Sequence, residues 1–224
     1  ADQAVALAAA SREHGNGMLH LTDRQDVQVH DVKIENTAAV MRALDAAGLA
    51  ARGGGGNTVR NIMACPLAGI CRAERLDVTP WVMEVTGYML ANPGSYNLPR
   101  KYKTAISGLQ DVAHEINDIA FIGVNHPEHG PGLDVWVGGG LSTNPMLAQR
   151  LGAWVPLAEV PEVWEAITSV FRDYGYRRLR SKARLKFLIK DWGVQKFREV
   201  LETEYLKRAL IDGPAPEPVP HDVD

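Results

Sequence analysis

The sequence has 224 residues, 46% of them apolar and 23% charged, the usage of an ordinary globular chain with room for one or two domains. No apolar run approaches the ~20 residues that span a bilayer, and two cysteines are too few for a disulfide framework, which fits a cytoplasmic chain with no membrane partner. With 24 Lys and Arg against 27 Asp and Glu the net charge is −3, so a polyanionic partner would have to meet a local patch.

The chain opens with Ala1 rather than Met, and its Ala-rich start predicts a short helix ending near Gly15-Asn16-Gly17. Asp2 inside that run and the lack of a basic stretch before it argue against a secretion signal. Met18 to Thr22 and Val27 to Ile34 predict strands, with a bend where the apolar phase slips between Val29 and Val32. Asn36-Thr37 caps a helix with Val40, Met41, Leu44 and Ala47 on one face, stopped by Gly48. The run Gly53 to Gly56 then breaks the chain and is the best domain boundary.

Beyond it, Thr79-Pro80 starts a helix through Leu90, and Asn92-Pro93-Gly94 ends it. Leu98 to Ile106, Asp118 to Val124 and Leu133 to Val137 predict strands. Helices are expected over Pro145 to Leu151, Pro161 to Tyr174, and Ser181 to about Leu206 with a break at Gly193. Strands come largely before helices, so the class is α+β. Four prolines in Asp212 to Asp224 give that end the composition of a linker, and together with the missing start suggest a segment of a longer protein.

Four stretches can carry chemistry. Gly53 to Gly56, followed by Asn57-Thr58-Val59-Arg60-Asn61, exposes backbone N–H groups to a flat or anionic ligand, or is a flexible linker; no Gly-Lys-Ser/Thr follows, so it is not a P-loop. In Leu98-Pro99-Arg100-Lys101-Tyr102-Lys103, a strand puts Lys101 and Lys103 on one face, where an anion between them would offset their repulsion; on an exposed face they merely solubilise. Gly138-Gly139-Gly140 sits between a predicted strand and a predicted helix, an ordinary turn whose amides can also hold carboxylates. The run Arg177, Arg178, Arg180, Lys182, Arg184, Lys186 contains no acid and is either a solvated helix face or a patch for an anionic partner. Cys65 and Cys71 cannot make a four-cysteine iron–sulfur site alone, and His126-Pro127-Glu128-His129 is a turn before it is a metal site, so no metal ligands are assigned.

The order of these motifs is more specific than any one of them. Thr22 to Gln28 with Arg24 and Gln25, then Asn57 to Asn61 with Cys65-Pro66-Leu67-Ala68-Gly69-Ile70, then Leu98 to Lys103, then Val137 to Ser142, resembles the sulfite/nitrite reductase family over about residues 15 to 208. The likeness is greatest to the ferredoxin-dependent assimilatory enzymes of actinobacterial type. It implies a ferredoxin-like half-domain over 1–52, a siroheme-binding α+β domain over 53–210 with a mixed or antiparallel sheet and C-terminal helices, and a linker over 211–224 toward a C-terminal half. It implies siroheme as cofactor and a [4Fe-4S] cluster whose cysteines lie in that other half. Carried onto matching positions, Arg60, Lys101 and Lys103 are the substrate-anion residues, and Arg24, Gln28, Asn61, Arg100 and Gly138, Gly139 and Gly140 face the siroheme. A further arginine of the family's site falls before Ala1.

The implied activity is the six-electron reduction of sulfite, or of nitrite, with ferredoxin as donor. Lys103 stands where plant-type nitrite reductases usually have Asn, which favours sulfite. Two other readings compete. A nucleic-acid-binding module would use the run from Arg177 to Lys186, against which stand the negative net charge and the lack of aromatic platforms. A non-catalytic siroheme- or partner-binding fragment would need no second half.

Overall fold

The computed structural model describes residues 1–218. It divides into two compact units, Ala1–Gly54 and the chain from Gly55 onward. In the first, helix α1 (Asp2–His14) is followed by an antiparallel pair, β1 (Leu19–Leu21) and β2 (Val27–Val29), and then by α2 (Thr37–Ala46). The second predicted strand is thus cut short: Asp31 takes a positive φ of 59°, the bend expected where the apolar phase slips, and Ile34–Asn36 is a 3-10 turn. Asn36 is helical itself and does not cap α2 with its side chain. Gly48, at φ 69°, ends the helix by adopting a conformation that favours glycine.

The second unit is built on one six-stranded sheet: β3 (Val59–Met63), β4 (Tyr102–Ser107), β5 (Ile119–His126), β6 (Gly130–Val137), β7 (Gln149–Val155) and β8 (Ile211–Asp212), in that spatial order. The first three run parallel, and the remaining pairings are antiparallel. Three helices, α3 (Thr79–Ala91), α4 (Val160–Tyr174) and α5 (Leu185–Val200), contribute to the larger core, with Val85, Trp164, Phe171 and Leu188 packed among Tyr102, Ile106, Phe121 and Val135. Trp164 is fully buried and donates its indole N–H to Thr104 Oγ1 at 2.9 Å, which removes the cost of burying that polar atom. Alternate residues of the strands face away from this core. There Ala105, Ala120 and Ile122 make a small second cluster under Met63, Val112 and Trp136.

Three expectations are corrected. Pro145 to Leu151 is not a helix: from Gln149 the chain is strand β7, with Leu151, Ala153 and Val155 buried in the larger core at period two. Helix α5 starts at Leu185, not Ser181, because Arg180–Lys182 forms a separate 3-10 turn; the expected break at Gly193 is present, at φ 76°. Residues 211–213, read as linker, close the sheet edge instead. Ile211 and Asp212 pair with β7, Gly213 N–H donates to Gly152 O, and Arg150 reaches Gly213 O. The last six residues of the predicted linker lie outside the described residues.

Candidate functional site

Parallel pairing of β3 with β4 sets Val59 beside Tyr102, both buried in the larger core, with a register shift before Ile62 meets Thr104. Strand alternation therefore turns Arg60 away from that core, and turns Lys101 and Lys103 away with it. The extra residue at the shift lets Arg60 and Asn61 share the stretch opposite Lys103. Stretches of the chain far apart in sequence thus meet on one face of one sheet.

The electrostatics of that face are one-sided. Burial lowers the pKa of Lys101, and Arg184, Arg60 and Arg100 lower it further, against the opposing pull of Asp118. Among the described residues no carboxylate forms an ion pair with Lys101. Arg60 donates from Nη2 to Gly56 O at 3.1 Å, which ties its guanidinium to the glycine run, and Arg100 donates to Arg180 O at 3.1 Å. Arg60, Arg100 and Lys101 gathered on one face favour an anion that enters among them.

Sequence reasoning missed the residue beneath the lysines. Asp118 is fully buried; its carboxylate accepts the backbone N–H of Lys103 at 2.9 Å and both Nε and Nη2 of Arg184, at 3.1 and 2.8 Å. Its own carbonyl accepts Gly138 N–H at 2.8 Å. Arg184 belongs to the basic run that was open between a solvated face and a ligand patch. Neither it nor Lys186 is part of a solvated face, for both are buried. Arg177 is likewise engaged, with the carbonyls of Asn97 and Arg172. No local signal marks Asp118, because its partners lie 15 and 66 residues away in sequence.

The glycine turn is also not what its composition suggested. Gly138, Gly139 and Gly140 N–H donate to Asp118 O, Asn117 O and Met146 O at 2.8, 2.9 and 2.9 Å, so these amides are directed into the fold. No helix N-terminus stands behind them, since β7 follows. The glycines are needed for close approach: a Cβ on Gly139 would lie 2.1 Å from Glu115 O, and one on Gly138 2.6 Å from the Ile189 side chain. Any contact of this turn with a cofactor would therefore run through its Cα surface.

Arg24 and Gln28 belong to the first unit, Arg24 in the turn between β1 and β2 and Gln28 within β2, paired with His20. In the second unit, Cys65 is buried and its thiol is pushed up to about 11, first by burial and then by its hydrogen bond with Asp111, so it is a poor metal ligand or nucleophile. No cluster of three or more His, Cys, Asp or Glu able to hold a metal occurs among the described residues. His126 is structural: its Nδ1 accepts the N–H of Glu128 and of His129 in the β5–β6 hairpin. No described helix is long and apolar enough to cross a membrane.

Comparison with known proteins accounts for both units. Residues 1–47 match the nitrite/sulfite reductase ferredoxin-like half domain, and residues 55–210 match the nitrite and sulphite reductase 4Fe-4S domain. The chain is 65% identical over 218 residues to a sulfite reductase [ferredoxin] of Mycobacterium tuberculosis, covering 97% of this chain and 39% of that protein. It is 36% identical over 224 residues to a ferredoxin–nitrite reductase of Synechococcus elongatus, covering 96% of this chain and 43% of that protein. The solved structure of Mycobacterium tuberculosis NirA superposes with a TM-score of 0.94 at 64% identity, over all of this chain and 41% of that one. The chain spans about two fifths of the length of the curated relatives it matches. From the half-domain at its start to the sheet that gathers Arg60, Lys101 and Lys103, the chain belongs to the nitrite and sulphite reductase family.

Proposed function

We propose that this chain is the anion-gripping, siroheme-cradling part of a ferredoxin-dependent sulfite reductase, working with the C-terminal half of the same enzyme. The observation that carries the reading is the pairing of β3 with β4, which turns Arg60, Lys101 and Lys103 to one sheet face, where burial first and then Arg184, Arg60 and Arg100 lower the pKa of Lys101. Arg60 can fork two N–H bonds to anion oxygens, and each charge-assisted bond is worth about 1.5–3 kcal/mol net. The lysines act as compact charges able to hand protons to oxygens that leave as water.

A macrocycle with eight carboxylates needs such cations; in the second unit Asn61, Arg100 and the Cα surface of Gly138, Gly139 and Gly140 are its proposed contacts, and in the first unit, taken by itself, Arg24 and Gln28. Siroheme, when bound, supplies the redox chemistry. The residues do not fit a [4Fe-4S] cluster: two cysteines, one buried with a raised pKa, cannot replace four thiolates. The cluster ligands are assigned to the C-terminal half.

Sulfite is favoured over nitrite because Lys103 adds a second ammonium to the face, and a doubly charged anion gains more from it. Supporting this, identity is 65% to a sulfite reductase and 36% to a nitrite reductase. Steady-state reduction by the complete, pigmented enzyme tests it. A larger kcat/KM for sulfite is expected, and a much larger value for nitrite would defeat the assignment.

A further inference from the structure

Lys186 is 3% exposed, yet carries an ammonium. Its Nζ reaches four backbone carbonyls of a single loop: Gly140 O at 3.3 Å, Leu141 O at 3.0 Å, Thr143 O at 3.3 Å and Asn144 O at 2.8 Å. That loop is closed at its neck by a reciprocal pair, Gly140 N–H to Met146 O at 2.9 Å and Met146 N–H to Gly140 O at 3.0 Å. Turning the carbonyls inward takes unusual backbone. Ser142 and Asn144 hold φ of 71° and 57°, in the left-handed region that side chains other than glycine seldom adopt. Four inward carbonyls would repel one another around an empty centre, so a cation there is what makes the ring stable.

The loop is not isolated from the lysine face. A Cβ on Gly140 would lie 3.3 Å from Arg184 Nη2 and 3.4 Å from Lys186 Cδ, so the loop's neck rests against the guanidinium that holds Asp118. Asp118 in turn holds the backbone of Lys103. We infer that Lys186 is a positioning residue: a tethered cation on which the Gly138 to Met146 loop is folded, and which through Gly140, Arg184 and Asp118 fixes the Lys101–Lys103 segment. The last step rests on the reading of that segment as the anion site. Its neighbour in the run, Arg184, acts on the carboxylate side of the same linkage. Two members of what composition presents as a solvated basic run are thus internal parts.

A tethered ammonium can be replaced by a free one, which gives a test that ordinary packing would fail. In the complete enzyme, Lys186→Ala leaves a carbonyl ring of a size suited to potassium or ammonium and too wide for lithium. Amide hydrogen exchange over residues 138–148 should rise in lithium chloride and fall back in potassium or ammonium chloride. The kcat/KM for sulfite should follow, dropping on the order of tenfold and recovering with the same cations. Lys186→Met refills the stem's space without charge, and its loop should exchange fast in every salt. Wild-type protection in the Met variant would overturn the inference, and so would an Ala variant whose loop no monovalent cation restores. If the Ala variant does not fold, the Met variant decides. A loosened, cation-restored loop with unchanged kcat/KM would overturn the positioning role and leave the anion-site reading standing; that reading falls separately if Lys103→Ala leaves turnover unchanged.

Discussion

Arg184 grips Asp118 with two hydrogen bonds, at 3.1 and 2.8 Å, in a pair whose side chains are 8% and 0% exposed. The pair is the floor of the cationic face, since one of the same carboxylate oxygens also accepts the N–H of Lys103. Burying two charges is costly, and the geometry offsets that cost only while both partners are present.

Asp118→Asn should therefore destabilise the enzyme by about 3–5 kcal/mol, because it leaves Arg184 buried without its counter-charge. Adding Arg184→Met should recover most of the loss. Denaturant unfolding of the three proteins, at matched siroheme content, checks this; a double variant no more stable than the single one would refute the pairing.

Lys103→Ala in the complete enzyme should lower sulfite turnover by about a hundredfold, the usual loss when one donor to a developing or bound anionic oxygen is removed. The siroheme absorbance should be intact. Arg24→Ala should do the reverse, weakening pigment retention. Loss of pigment in the Lys103 variant would assign that lysine to the cofactor instead.

The depressed pKa of Lys101 predicts an alkaline limb for anion binding. Its charged form is disfavoured in the folded protein by burial and by Arg184, Arg60 and Arg100, so its proton leaves at lower pH than it would from an unfolded chain. The destabilisation is fully present below the depressed value and fades as pH rises through it toward the ordinary lysine range. A bound anion restores the charged form, so binding there takes up a proton. The KM for sulfite should rise with pH above that value, and Lys101→Met should flatten the rise while raising KM throughout. A KM profile identical in the two proteins would exclude Lys101 from the site.

Gly139→Ala forces a methyl within 2.1 Å of Glu115 O and 2.6 Å of Asn117 O. Such overpacking costs about 1–3 kcal/mol or more, and here the obstacle is backbone rather than a flexible side chain. Thermal unfolding should show the loss even in enzyme stripped of siroheme. A variant that is stable when stripped but loses pigment would make this glycine a cofactor contact rather than a packing residue.

How far the sequence alone leads can be followed at particular positions. The apolar stretches Asp118 to Val124 and Leu133 to Val137 lie within or overlap β5 and β6 as their composition predicts, and Thr79-Pro80 does start α3, although Asp77 rather than Thr79 accepts the first N–H. Strand β3 is not predicted, because the glycine run before it has the composition of a loop and only five residues follow in the strand. Strand β7 replaces an expected helix: Leu147 and Leu151 stand four apart, as on a helix, while the decisive alternation of Leu151, Ala153 and Val155 begins only at the end of the predicted segment. The convergence of Arg60 with the lysines came from family likeness and could not come from spacing, since it depends on the parallel pairing of β3 with β4. Asp118 and the burial of Lys186 were illegible for the same reason: both are defined by carbonyls, carboxylates and guanidinium groups that the chain delivers from distant segments.

The register that sets Val59 beside Tyr102, and Thr104 beside Ile119, has a consequence for maturation. Parallel neighbours cannot zip from a local hairpin, so these three strands must each wait for the loops between them to close. The newly made polypeptide has its positive charges scattered until that closure is complete, and only the finished sheet concentrates them. Loading of an anionic prosthetic group should then follow folding rather than nucleate it, drawing the equilibrium toward the native state by mass action.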